Sequence, residues 1–268
     1  MVVMRALLAE CREMLTEQIE YRELLRQMIK RDLLLRYKQT AMGFAWAVFM
    51  PLVSTAVFSV VFTRVGRLDT PVPYPVFAYC GLWVWNFFAS ALRFSVTSLT
   101  GNPNLVSKVY FPREIFPLSA VIVCLVDFAV GATVLIALML WYHLPVGMNL
   151  LWLPLVVAGH VAFTLAVALL LSMGNLFYRD VKYLFEVVIT VWMFATSVIY
   201  PVDRIGGTVG TLLQLNPMTP IIEAYRAVLL MNAPVSPAFS WTALFSVVAL
   251  LFAWRVFHRA EFEFAENI

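Results

Sequence analysis

The sequence predicts an all-α polytopic membrane protein with six transmembrane helices, and three observations predict it. Apolar residues fill 62% of the 268 positions and charged residues only 13%, too few charges to clothe a water-soluble surface. Six runs are long and apolar enough, or nearly so, to cross a ~30 Å hydrocarbon core, which takes a helix about 20 residues. Sorted by the loops between those runs, fifteen of the 19 lysines and arginines fall on the side of the two termini. The positive-inside bias makes that side the cytosol.

The first 40 residues form a cytosolic N-terminal region that mixes both charge signs and carries no secretory signal pattern. Within it, residues 21–37 set Leu24, Leu25, Met28, Ile29, Leu33 and Leu34 against Arg22, Arg26 and Lys30. That pattern suits an amphipathic helix lying along the membrane interface, or an ordinary solvated helix. The spans are expected at 41–63, 74–92, 115–142, 151–177, 183–200 and 239–254, so a transmembrane domain covers 41–254 and a cytosolic tail covers 255–268. The uncharged stretch 144–178 is too long for one crossing, and Pro145, Gly147, Asn149 and Pro154 assign its start to a hairpin loop. Between the fifth and sixth spans, residues 202–225 carry Gly206, Gly207, Gly210, Pro217 and Pro220. Short broken helices at the outer face fit this segment, with Thr219 capping the second and Pro220 in its first helical position.

Two loops on the side of the termini have character. Residues 101–114 offer Asn102 and Asn104 as helix starters, the apolar pairs Leu105/Val109 and Val106/Tyr110, and Pro112 as a terminator. The short amphipathic helix so predicted either lies on lipid headgroups or serves as a rigid lever in a partner protein, with Tyr110 and Phe111 as apolar anchors and Arg113 beside Glu114 as orienting charges. In the other loop, Arg179 adjoins Asp180 below the fourth span, as a local cap or salt bridge.

Composition also excludes chemistry. A net charge of +3 with basic residues grouped in loops does not point to nucleic acid. Cys11, Cys80 and Cys124 form no CxxC pair, and His143, His160 and His258 fall on different elements, so neither disulfide nor metal site is expected. None of Lys30, Lys38, Lys108 and Lys182 follows a glycine, so a phosphate-cradling loop is lacking. The chain is expected not to be an enzyme, and any ATP-driven work would need a separate polypeptide.

The segments RYKQTAMGFAWA (36–47), KVYFPRE (108–114), FYRD (177–180) and NPMTP (216–220) stand in order along the chain. In order and spacing they resemble the ABC-2 type permeases of polysaccharide export, the family of O-antigen, teichoic-acid and capsular-polysaccharide exporters. The likeness runs from about residue 29 to 254, and the motif at 108–114 looks more like the O-antigen and teichoic-acid branch. This resemblance implies a homodimer of six-span subunits in the cytoplasmic membrane of a bacterium. Each subunit would bind a separate ATPase subunit that carries ATP and magnesium, and the dimer would enclose a path for a lipid-linked glycan. It also implies that Lys108, Val109, Tyr110, Phe111, Pro112, Arg113 and Glu114 dock on the ATPase as the coupling element, that the N-terminal amphipathic helix flanks the entrance, and that Gly206, Gly207, Asn216, Pro217 and Pro220 belong to an outer gate.

Sugars pack their CH faces on aromatic rings, so such a path can be lined by aromatic residues, for which Trp46, Phe58, Trp83, Trp85 and Phe88 are candidates; lipid-facing or interfacial placement is the bland alternative. A pyrophosphate-linked carrier needs cations at the entrance, and Arg36, Lys38 and Arg93 are placed for that, or for anchoring to anionic headgroups. Two other readings fit the sequence: an ABC-2 exporter of small drugs or lipids, and a proton-coupled carrier in which Asp127 and His160 face each other across the third and fourth spans.

Overall fold

A computed structural model describes residues 16–38, 45–64, 70–108, 111–201 and 207–264, and all regular structure among them is helical. In chain order the helices are α1 (Arg22–Tyr37), α2 (Ala45–Arg64), α3 (Tyr74–Val96), α4 (Pro103–Lys108), α5 (Ile115–Trp141), α6 (Leu153–Phe177), α7 (Val181–Phe194), α8 (Gly207–Leu215), α9 (Met218–Leu229) and α10 (Pro237–Ala260). A 3₁₀ turn at Met148–Trp152 leads into α6 and another at Glu261–Glu263 follows α10. Among the described residues four helical stretches are long and apolar enough to cross a membrane: α3, α5, α6 with its leading turn, and α10 with its following turn. The 20-residue α2 has an apolar stretch at Phe49–Val61, and α7 is only 14 residues long.

Helix α3 is apolar almost all round, and a helix of that kind belongs inside. It sits at the centre, packed by α2, α5, α6, α7 and α9, and most of its residues are buried. Close approach depends on one glycine of α5. A Cβ at Gly131 would lie 2.7 Å from Trp83 Cδ1, and the space lets Trp83 stack on Phe128 with centroids 3.9 Å apart and donate from Nε1 to the Phe128 carbonyl at 2.8 Å. Gly131→Val is therefore expected to expel the indole and lower the thermal midpoint of the purified protein; an unchanged midpoint would show that the indole has a second seat. Helix α10 packs along α6 but leaves most of its surface outward, with Trp241, Leu244, Phe245, Val248, Leu251 and Phe252 exposed. Such a face is stable against lipid or another subunit, not against water. Its start is sharp, because Ser236 Oγ accepts from Phe239 N at 3.3 Å and Pro237 occupies the first turn.

The structure corrects three sequence expectations. The fifth apolar run is helical only to Phe194, after which residues 195–201 leave the helix while Thr196 to Ile199 stay buried. Irregular backbone at membrane depth persists only where protein groups satisfy it. Here Asn216 Nδ2 donates to the Ala195 carbonyl at 2.8 Å, Tyr74 to the Ile199 carbonyl at 2.9 Å, and Arg226 to those of Ser197 and Val198, each at 2.7 Å. Next, Thr219 does not cap α9: Pro217 holds the cap position, Asn216 Oδ1 before it accepts from Met218 N at 3.1 Å, Thr219 is buried inside the first turn and Pro220 is the third helical residue.

The third correction concerns the loop before α5. Its helix α4 ends at Lys108 instead of running to Pro112, Val109 and Tyr110 lie outside the described residues, and Phe111 is buried within the chain. Phe111 belongs to a second apolar cluster with Met28, Val106, Phe116, Phe257 and Phe264, at the end of the bundle where α1 lies. Arg113 and Glu114 are buried as well, because the turn 111–114 tucks beneath the end of α10.

Candidate functional site

A cavity of about 400 Å³ opens between α1, α2, α3 and α5. One wall is a polar stripe of α3, Asn86, Ser90 and Arg93, which recurs at helical spacing on an otherwise apolar helix. Trp46, Trp83, Phe87 and Phe128 supply aromatic surface, and Arg36, Tyr37 and Asp127 close the side toward α1. Arg36 Nη1 meets Asp127 Oδ2 at 2.7 Å, its guanidinium lies 4.3 Å from the Phe94 ring centroid, and the Tyr37 hydroxyl donates to Asp127 Oδ1. Burial, reinforced by that hydrogen bond, pushes the Tyr37 phenol above the ordinary tyrosine range, which keeps it a donor. Arg93 pairs with Glu186 of α7 at 3.1 Å, half exposed, so its charge stays accessible. A second cavity of about 390 Å³ continues along α1 past Arg36, lined also by Arg31, Asp32, Asn102 and Ser119. There Arg31 donates to Asn102 Oδ1 at 3.0 Å and Ser119 to Asp32 Oδ2 at 3.4 Å. Helix α1 is thus tied to α5 and to the turn before α4.

The structure brings four of the predicted residues, Arg36, Arg93, Trp46 and Trp83, to one cavity. Lys38 is exposed just past α1 and is not in the lining. Phe58 packs from α2 toward Tyr74 and Phe77 instead. Trp85 and Phe88 point away into the core, where both lie against Trp192 and Phe88 stacks on Phe163. The helical period explains the division, since at ~100° per residue positions 83, 87 and 90 share one face of α3 and 85 and 88 another. Arg179 and Asp180 are exposed in the turn between α6 and α7, remote from this lining. Gly207 takes a φ of +72° at the start of α8, Pro217 precedes α9, and Gly206 lies outside the described residues. His160 does not meet Asp127. It is fully buried, 3.4 Å from the Tyr225 hydroxyl and edge-on to Phe87 and Phe128, while Asp127 faces α1. The geometry a proton relay between them would need is not formed.

Sequence reasoning missed Tyr37, Asn86, Ser90 and Phe128 as lining residues. The spacing of Asn86, Ser90 and Arg93 was the available signal. It also missed Arg226, which is fully buried and holds four acceptors.

A membrane-spanning helical bundle with a cavity that mixes guanidinium groups, amide, hydroxyls and aromatic faces defines a membrane transport protein. The chain belongs to the ABC-2 type transporter family, whose family model matches residues 23–230. It is 30% identical over 255 residues to the O-antigen export system permease protein RfbA of Myxococcus xanthus, covering 94% of this chain and 98% of that protein. Two proteins of the same name from Klebsiella pneumoniae are each 28% identical over 246 residues, covering 91% of this chain and 94% of theirs.

Proposed function

We propose that this chain is the permease subunit of an ABC exporter that moves a lipid-linked polysaccharide, of the O-antigen class, across the bacterial cytoplasmic membrane. The observation that carries this reading is the cavity beside α1. Its two arginines suit the anionic phosphates of a lipid carrier, and Trp46, Trp83, Phe87 and Phe128 suit the CH faces of sugars. Full-length similarity to permeases named for O-antigen export supports the same substrate class.

In this reading the chain crosses the membrane six times, α2 and α7 with its irregular continuation adding two crossings to the four long helices, and both termini are cytosolic. Two copies form the transport path and each binds a separate ATPase subunit that holds ATP and magnesium. The exposed end of α4 at Lys108 is the surface left for that ATPase among the described residues of this loop, since Phe111, Arg113 and Glu114 face into the chain. The segment 207–220 forms the opposite, outer end. The purified chain alone is expected to hydrolyse no ATP and to recover activity only when its ATPase subunit co-purifies.

Deleting the gene and extracting the lipid fraction is the deciding experiment. Lipid-linked glycan is expected to accumulate inside the cells while surface glycan disappears. Unchanged surface glycan, with retention of a small amphiphile or drug instead, would assign the other ABC-2 substrate class and overturn the proposal.

A further inference from the structure

We propose that Glu114, His258 and Glu261 form a binding site for a divalent transition-metal ion of the zinc class, which staples the turn before α5 to the end of α10. The three side chains come from different places. Glu114 immediately precedes α5, His258 lies in the last turn of α10, and Glu261 opens the 3₁₀ turn that follows. His258 Nδ1 is 3.0 Å from Glu114 Oε1 and 3.8 Å from Glu261 Oε1, and one ligand atom from each residue falls within 4.8 Å of the others. Two ligand atoms bound tetrahedrally at about 2.0–2.1 Å lie roughly 3.3 Å apart, so the two observed separations bracket the spacing a metal requires.

His258 already faces both carboxylates as their pairing partner, and a metal ion would take the place of its Nδ1 proton. Glu114 and Glu261 are only 3% and 4% exposed, and buried carboxylates persist only when paired or coordinated. Their protein partners do not complete the task. Glu261 Oε2 accepts only the Arg113 backbone N–H among the hydrogen bonds formed there, at 3.3 Å. His258 serves Glu114 Oε1, whereas Glu114 Oε2 is buried with no hydrogen-bond partner. Beside the cluster, a cavity of about 180 Å³ is lined by Glu17, Glu20, Tyr21, Pro112 and Glu261. Of the three proposed ligands Glu261 alone lines it. One imidazole nitrogen with carboxylate oxygens is a borderline donor set, which favours zinc-class ions over calcium or magnesium, whose sites are built from oxygen alone.

The site lies outside the transport cavity, and the inference does not depend on what that cavity carries. Bound metal would replace a pairwise contact with a three-point clasp and fix the turn 111–114 against the last helix. That turn leads into α5, so the clasp holds the start of α5 to the end of α10.

The test uses the full-length chain in detergent, free of any polyhistidine tag, stripped with chelator and titrated calorimetrically with zinc chloride, with magnesium chloride as comparison. Saturable uptake of a single zinc per chain is expected. Glu114→Gln and His258→Gln should each weaken it by roughly tenfold or more, and His143→Gln, changed at an exposed position, should not. Cobalt chloride added to the unmodified chain keeps the test independent of how the variants fold, since nitrogen and oxygen coordination should produce visible absorption bands that zinc abolishes. Equal zinc uptake by the parent and both variants, magnesium binding as tight as zinc, or a folded parent without saturable zinc uptake and without cobalt bands would each overturn the proposal.

Discussion

Arg226→Met is expected to cause the largest loss of stability of any single substitution in this chain, on the order of 3–5 kcal/mol. The guanidinium is fully buried and donates to the carbonyls of Ser197 and Val198 at 2.7 Å, to that of Phe77 at 3.3 Å and to Glu223 Oε1 at 2.8 Å, with its carbon 3.5 Å from the Phe77 ring centroid. Two of those carbonyls belong to the irregular backbone after α7, which has lost its helical donors, and the third belongs to α3. Methionine fills much of the volume and supplies no donor. Hydrogen bonds between membrane helices usually contribute less than this, about 0.6 kcal/mol on average; the difference here is that one side chain serves four acceptors at a helix break. Arg226→Lys should fall between, because an ammonium cannot present the planar fork. Gly81→Ala attacks the same joint without replacing the arginine, since its Cβ would collide with the Val198 carbonyl oxygen and lie 2.6 Å from Arg226 Nη2. Melting of detergent-purified protein followed by size exclusion should rank Arg226→Met below Arg226→Lys and Arg226→Lys below the parent, with faster hydrogen exchange confined at first to residues 195–201. A methionine variant that melts with the parent would show that the break is held by Asn216 and Tyr74 alone.

The fold class was legible because bilayer thickness and hydropathy act locally. A run of apolar residues announces a helix whatever its neighbours are, and α3, α5, α6 and α10 begin and end close to where those runs do. What sequence could not supply is rotation and pairing. Trp83 and Trp85 have the same composition signal, yet one lines the cavity and the other packs on Trp192, and only the phase of α3 separates them. Arg226 was readable only as a cation of a non-terminal loop, because its acceptors are carbonyls exposed by a helix break that apolar composition conceals. Glu223 at i−3 and the apolar residues around both were the sole local hint.

The inward turn of Phe111 in the loop before α5 was hidden for a related reason. Aromatic residues in a connecting loop are expected to seek a partner, and the nearest partner for Phe111 turned out to be the chain itself, through Phe116, Phe257 and Phe264. Contacts between positions well over a hundred residues apart, such as Glu114 with His258, leave no periodic trace. The amphipathic N-terminal helix shows the intermediate case. Its pattern fixed the element, α1, but not that Asp32 and Arg36 turn toward α5 and make it part of the cavity wall.

Breaking the pair between Arg36 and Asp127 is expected to lower glycan export on the order of tenfold without unfolding the bundle. The two side chains are 25% and 16% exposed, so neither charge is fully hydrated, and each is compensated chiefly by the other. Asp127→Ala leaves the Arg36 guanidinium free to swing from the cavity wall and deprives the Tyr37 hydroxyl of its acceptor. Arg36→Ala leaves a mostly buried carboxylate facing a site that is proposed to receive anionic phosphate, which repels the substrate. A coupling energy of about 1–2 kcal/mol, within the usual range for contacting residues, corresponds to roughly tenfold. The double variant Arg36→Ala with Asp127→Ala removes both uncompensated charges and should be no more unstable than either single one, although it still exports poorly for want of the cation. Asp127→Asn keeps an acceptor for Tyr37 and should fall between the parent and Asp127→Ala. Export measured as surface glycan, paired with thermal melting of each purified variant, separates the outcomes. Parental export by both single variants would remove Arg36 from the substrate path. Loss of export that follows the pH gradient rather than ATP supply would instead revive Asp127 as a proton carrier.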